Sequence, residues 1–463
     1  CKRLLLSIGK RTFFMTKDMT SGAITPLLIK FTIPLVLGNL FQLTYNAADS
    51  IIVGKFVGED ALAAVGTSNP LMTLAILFIN GMCLGAGILV STAFGAGDTE
   101  LVERQVSTTA IAGTVFSLTF SALCVLLADP LLRLLQVPAA ILPIAVNYLR
   151  IVFAGLAATF LYNYFAFLLR SSGNSVIPLI FLGVGTALNI GLDFFFVAKL
   201  GRGVKGAAEA TVLAQAAAGL GIALYALVKE PELNMKKMKE EGIGIRADLL
   251  KEIFSYSAST GIQQSVMNFG ILMVQGLVNN FGTSVMAAFA AGVKIDTLAY
   301  MPAQEFGNAY SIFISQNYGA DKKERIRKGT KSAAVTVIMF CAAASAAVFF
   351  GAEFLMGIFI DPQKTQIIQI GTGYLKTEGA CYCGIGILFL LYGYFRAVER
   401  PKVSLLLTIL SLGTRVVLAY ACAPLFGVGA IWTAIPIGWA MADVAGIILL
   451  RRGERTNRMN EIM

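Results

Sequence analysis

Asn39, Gln42, Asn46 and Asp49 follow one another at steps of three, four and three residues inside an otherwise apolar stretch. At 100° per residue these steps fall within a narrow arc, so one helix face carries three amides and a carboxylate. A second set lies further along: Asn189 and Asp193 are four apart, Thr186 extends their face, and Thr211 follows in the next apolar segment. An amide and a carboxylate on adjacent turns can supply oxygen ligands to one small cation, or hold a proton with an acceptor beside it. The hydroxyl of Thr211 could complete such a site. The plain alternative is amide pairing between packed helices, and the two carboxylates tilt the reading toward a functional face.

The elements that must position these residues follow from composition. Of 463 residues 56% are hydrophobic and only 14% charged, against about 25% charged in an ordinary soluble domain. So few charges cannot cover the surface of a soluble protein this long, and the chain reads as a polytopic membrane protein. An acid at a helix centre in lipid then costs at least about 2.5 kcal/mol on insertion scales, so each one needs an account. Histidine is absent, which excludes Ser-His-Asp triads, Cys-His nucleophiles and His-bearing metal sites. The seven cysteines fall mostly in apolar stretches without a CxxC pair and read as packing thiols.

Runs long enough to cross about 30 Å of hydrocarbon recur throughout. The expected spans are 28–54, 61–94, 105–128, 139–170, 175–198 and 204–228, then 249–280, 284–318, 330–352, 366–396, 402–424 and 429–450. Residues 1–19 form an N-terminal arm whose first fourteen could be an extended gene start. Two lobes, 20–229 and 249–451, flank a polar linker at 230–248, and 452–463 form a tail. With both termini cytoplasmic, the inside segments hold 26 Lys and Arg and the outside loops only Lys55, Arg133, Lys199, Arg202, Lys205 and Lys364. The net charge of +10 is therefore a positive-inside bias, not a nucleic-acid footprint.

The halves repeat at a spacing of about 224 residues. Phe94-Gly95-Ala96-Gly97-Asp98 returns as Tyr318-Gly319-Ala320-Asp321, Arg170 as Arg396, and Gly206-Ala207 as Gly429-Ala430. An even number of spans per half makes the repeat parallel, about an axis along the membrane normal. Twelve helices in two pseudo-symmetric six-helix bundles around a central cavity is an all-α architecture used by secondary transporters. The seventh span repeats the amide stripe in Gln264, Asn268 and Gln275, but Leu272 stands where the repeat would place Asp49. Arg415 and Ala419 stand at the places of Asn189 and Asp193. A coupling site is thus expected in the first half only. Lys294 with Asp296, and Lys376 with Glu378, are two apart and cannot face each other on one helix, so each would need a neighbouring helix. Glu305, after Pro302, and Asp443 are further acids at membrane depth.

The run Gln42-Leu-Thr-Tyr45-Asn46-Ala-Ala-Asp49-Ser-Ile-Ile-Val-Gly54, followed by Ala61-Leu62-Ala63-Ala64-Val65-Gly66, resembles the first two helices of multidrug and toxic compound extrusion (MATE) transporters. Leu188-Asn189-Ile190-Gly191-Leu192-Asp193, Gly206-Ala207-Ala208-Glu209-Ala210-Thr211 and Gln316-Asn317-Tyr318-Gly319-Ala320 resemble the same family, over residues 20–450. The DNA-damage-inducible (DinF-like) prokaryotic branch is the nearest in pattern. The resemblance implies a cation site at Asp49, Asn189, Asp193 and Thr211, and a bend at Pro34. It implies a substrate cavity reached by Gln42, Tyr45, Asn46 and Asn163, with Gln264 and Asn268 from the second half. It further implies antiport: export of an amphipathic, usually cationic, organic compound against inward H⁺ or Na⁺, by a monomer in the plasma membrane that needs no cofactor. A lipid-linked saccharide flippase of the same superfamily would call for a strongly basic cavity, and a membrane-embedded enzyme for a convergent catalytic set. Neither is visible in this sequence.

Overall fold

The computed structural model describes residues 18–229 and 247–462, and among these the chain is helical throughout, without a strand. Nearly all of the expected linker and the first seventeen residues of the arm lie outside the described residues. The N-terminal lobe contains α1 (Ile24–Phe56), α2 (Glu59–Ala96), α3 (Thr99–Leu134), α4 (Leu142–Ala154), α5 (Leu156–Ser171), α6 (Val176–Asp193) and α7 (Gly203–Lys229). The C-terminal lobe contains α8 (Ala247–Val278), α9 (Thr283–Gly319), α10 (Lys323–Phe359), α11 (Thr365–Gly379), α12 (Tyr382–Ala397), α13 (Pro401–Phe426) and α14 (Val428–Ile462). The expected tail therefore continues the last helix.

Among the described residues, nine helices are individually long and apolar enough to span a membrane. Two expected single spans are broken: α4 and α5 meet at 41°, and α11 and α12 at 51°. Gly155 stands at the first break, where a Cβ would lie 2.5 Å from Val212 of α7. The remaining span is α8. Its 32 residues are long enough, but Gln263, Gln264, Asn268 and Gln275 dilute its apolar character. Gln263 recovers that cost by donating from Nε2 to the Thr408 hydroxyl at 3.1 Å in the core. Nine helices, two bent pairs and α8 make the twelve crossings of a multi-pass membrane protein.

The turns explain the repeated motif. Gly97 is left-handed at φ 72°, and Asp98 caps α3 by accepting from the Leu101 amide at 2.9 Å. In the second half Asp321 takes the left-handed position at φ 51°, a conformation Asp tolerates better than most residues. The π-helical turn Phe194–Lys199 follows α6 directly, so Asp193 sits where the helix widens.

The lobes meet along α1, α2, α8 and α9, and the crossings are close. A Cβ on Gly95 would lie 2.0 Å from the Gln316 carbonyl oxygen, and one on Gly319 would lie 1.9 Å from that of Thr92. Ser315, the repeat partner of Ser91, donates to its hydroxyl at 2.8 Å. Gln316 donates to the Ser171 carbonyl at 2.7 Å and accepts from the Met19 amide at 2.9 Å. Arg325 binds the carbonyls of Met19, Ser21 and Gly22, so the segment before α1 is strapped over the joint. Among the described residues, the hydrogen bonds between lobes run from mid-helix to the end bearing the basic loops. The opposite halves of α1 and α8 leave Asn46, Phe269 and Leu272 exposed. The lobes are thus shut at the basic end.

Candidate cation site

Asp49 on α1, Asn189 and Asp193 on α6 and Thr211 on α7 are all buried, at 7%, 3%, 0% and 8% exposure. Asn189 Nδ2 donates to Thr211 Oγ1 at 3.4 Å. Tyr45 lies beside Thr211 and both acids. Tyr148, on α4, also stands within electrostatic reach of the two acids. Asp49 Oδ1, Asn189 Oδ1 and both carboxylate oxygens of Asp193 have no hydrogen-bond partner. Buried polar atoms are normally satisfied, and these four oxygens lie on two neighbouring helices. Hard oxygen donors of this kind suit a small cation or a pair of protons.

The adjoining space sets the scale of what can enter. Two narrow cavities, of about 30 Å³ and 20 Å³, are lined by Gln42, Tyr45, Tyr162, Thr211 and Gln215. Asn163 lines the first and Asn189 with Thr186 the second. Such volumes admit a water or an ion, whereas a drug-sized molecule needs roughly 300–1,000 Å³. These two cavities are thus of the size of an ion or a water and too small for a drug-sized molecule.

The other expected cavity residues are dispersed. Asn46 is exposed on α1, and Gln264 and Asn268 are half-buried on α8, with Asn268 Nδ2 donating to the Gln264 carbonyl at 3.5 Å. Pro34 is buried within a continuous α1. Asn39 leaves the stripe's expected role: its Nδ2 donates across the lobes to Glu305 Oε1 at 2.9 Å. Asn308 also donates to Glu305, at 3.4 Å, and accepts from Arg396 at 3.2 Å. Arg170 and Arg396, repeat partners in the sequence, both act electrostatically on Glu305.

The second lobe holds an acid cluster that helical spacing along one segment could not reveal. Asp296 on α9 accepts from the Tyr374 hydroxyl at 2.7 Å and from the Tyr382 hydroxyl. Glu378 on α11 stands beside the same carboxyl with its Oε1 unpartnered, while Lys294 and Lys376 point away and are exposed. A cavity of about 70 Å³ is lined by Asp296, Glu378, Tyr300 and Arg415. Arg415 thus faces an acid pair from the place where the first lobe has Asn189. Gly292 makes this closure possible, since a Cβ there would lie 2.5 Å from the Tyr374 ring. Asp296 and Glu378, which on their own helices could only pair with a neighbouring one, are brought together from two helices far apart in sequence. Asp443 is buried with Oδ1 unpartnered.

A repeated two-lobe membrane fold with carboxylates buried in each lobe defines a class of secondary-transporter architecture. The family model described as MatE matches residues 34–195 and 260–421, one stretch in each lobe. The chain belongs to the MatE family. It is 27% identical over 445 residues to the "Probable multidrug resistance protein YpnP" of Bacillus subtilis (strain 168), covering 94% of this chain and 97% of that one. It is 25% identical over 409 residues to the "Probable multidrug resistance protein NorM" of Thermotoga maritima, covering 87% and 86%. The fold matches a crystal structure of a MATE protein in its bent conformation with TM-score 0.90 and 23% identity, covering 98% of this chain and all of that one.

Proposed function

We propose that this chain is a cation-coupled antiporter of the plasma membrane, exporting amphipathic, cationic organic compounds, with both termini in the cytoplasm. The observation that carries this reading is the set of four unpartnered oxygens on Asp49, Asn189 and Asp193 beside cavities of ion size. Family membership, and relatives named as multidrug resistance proteins, support export as the direction and organic compounds as the cargo. The Asp49, Asn189, Asp193 and Thr211 pattern supports the DNA-damage-inducible branch.

Coupling requires that cation and drug favour different facing states. A cation on Asp49 and Asp193 ties α1 to α6 and removes the cost of two buried, unpaired charges. Because α1 also carries Asn39, which holds Glu305 of the other lobe, repacking α1 would alter the lobe joint. With the Lys- and Arg-rich loops inside, the joint is shut on the cytoplasmic side, which makes this the outward-facing state. H⁺ and Na⁺ are both compatible with carboxylate, amide and hydroxyl donors.

The test is efflux of a fluorescent organic cation from oriented proteoliposomes, under an imposed pH gradient and separately a sodium gradient. Export is expected to follow one of them in the wild type and to be lost in Asp49→Asn, with insertion and Tm retained. Undiminished gradient-driven export by that variant would overturn the reading.

A further inference from the structure

A groove runs down the outside of the lobe joint between α1 of the first lobe and α9 and α10 of the second. Its upper part, about 770 Å³, is lined by Thr25 and Ile29 on one side and Lys328, Lys331, Val335 and Met339 on the other. Its continuation, about 380 Å³, is lined by Ile33, Leu37, Pro302 and Phe306. Ile29, Thr336 and Phe340 belong to both parts, so the groove is continuous. The twelve steps from Lys328 to Phe340 rise about 18 Å along α10, a little over half of a ~30 Å hydrocarbon core. The groove is therefore one leaflet deep, apolar along its length and basic at its mouth.

Chemistry at the mouth is specific. Lys328 Nζ binds Glu324 at 2.8 Å, which partly offsets its charge, whereas no ion pair is formed by Lys331 among the described residues. The Thr25 and Ser332 hydroxyls meet at 2.7 Å across the lobes, leaving hydroxyl oxygens and protons beside the two ammonium groups. One anionic head and one long hydrocarbon chain satisfy this arrangement together. We propose that the groove binds an anionic phospholipid of the cytoplasmic leaflet, its phosphate at Lys328 and Lys331 and an acyl chain along Ile29, Ile33, Val335 and Phe340. Because the walls come from both lobes, the bound lipid braces the joint that is shut in this structure.

Native mass spectrometry of the full chain in detergent, titrated with phosphatidylglycerol or phosphatidylcholine, tests this without reference to transport. Wild type is expected to retain phosphatidylglycerol about tenfold better, and Lys328→Gln/Lys331→Gln to lose that preference. Lys30→Gln, which removes an exposed charge outside the groove lining, is expected to keep it. Val335→Trp, which fills the apolar channel and leaves the lysines, is expected to lower retention as well. Inorganic phosphate at millimolar concentration is expected not to displace the lipid; displacement by phosphate, or retention unaffected by Val335→Trp, would mean that a free anion and not a lipid occupies the mouth. Equal retention of the two lipids, or a preference that survives the double lysine variant, would also overturn the proposal.

Discussion

The two acid clusters differ in what satisfies them, and that difference decides what each can do. In the first lobe Asp193 has no donor for either oxygen and Asp49 lacks one for Oδ1. In the second lobe Asp296 takes two tyrosine hydroxyls and stands beside Glu378. The unsatisfied acids of the first lobe gain the most from an arriving cation, whereas Asp296 is held by its two tyrosine donors, although Glu378 Oε1 beside it has no partner. Tyr374→Phe is therefore expected to destabilise the second lobe by about 1–3 kcal/mol, the range for leaving a buried acceptor unmade, read as a fall in Tm in detergent. A Tm unchanged from wild type would mean that the Tyr374 hydroxyl does not hold Asp296. The corresponding change in the first lobe, Asp193→Asn, removes a buried charge and an acceptor the fold does not use. It is expected to raise or preserve Tm while abolishing gradient-driven export; a marked loss of Tm would show the carboxylate to be structural.

At the scale of elements, the repeated Gly-Ala-Asp motif does more than turn the chain. Gly95 and Gly319 are the points where α2 and α9 cross, and each meets a backbone carbonyl of the other lobe. Because the opposing atom is backbone, the helices must separate to admit a methyl group. Gly319→Ala is expected to open the joint at the basic end and to shift the population toward the other facing state. The change would appear as faster labelling of a cysteine placed at Gln316 from the cytoplasmic side, with the native cysteines replaced. Labelling no faster than in the glycine parent would refute it. The broken spans also have positional meaning: α11 and α12 bend just after Glu378, and the widened turn after α6 begins just after Asp193. Irregular backbone at membrane depth is tolerated where it is buried in protein or lines a cavity.

At the scale of the whole molecule, alternating access requires the lobe joint to open and close as a unit. Ser91 and Ser315, with their hydroxyl oxygens 2.8 Å apart, report on it directly, because thiols placed at the same two positions would stand close enough to meet. Ser91→Cys/Ser315→Cys, in a background without the native cysteines, is expected to cross-link under mild oxidation. Export should then stop and return on reduction. Transport that continues with the disulfide formed would mean that the joint need not open. The strap of residues 18–22 over Gln316 and Arg325 and the Asn39–Glu305 bond belong to the same joint.

The amino-acid sequence by itself determined the membrane class, the duplicated halves and the polar stripes that carry the first-lobe candidate residues. Each is a local or periodic property: hydrophobic runs of bilayer length, a fixed spacing of motifs, and acids and amides at helical steps within α1 and within α6, with the meeting of Asp49 and Asp193 implied by the family pattern and not by their spacing. The sequence could not show that Asp296 faces Glu378, that Asn39 leaves its stripe to hold Glu305, or that Lys328 and Lys331 crown a groove closed by α1. Those pairs lie 82, 266 and about 300 residues apart, and nothing in a one-dimensional pattern encodes which helix faces meet. The breaks at 154–156 and 379–382 were equally hidden, because a bend changes direction without changing hydropathy. Tertiary packing decided all of these, through close crossings at Gly95, Gly292 and Gly319 that only the absence of a side chain permits.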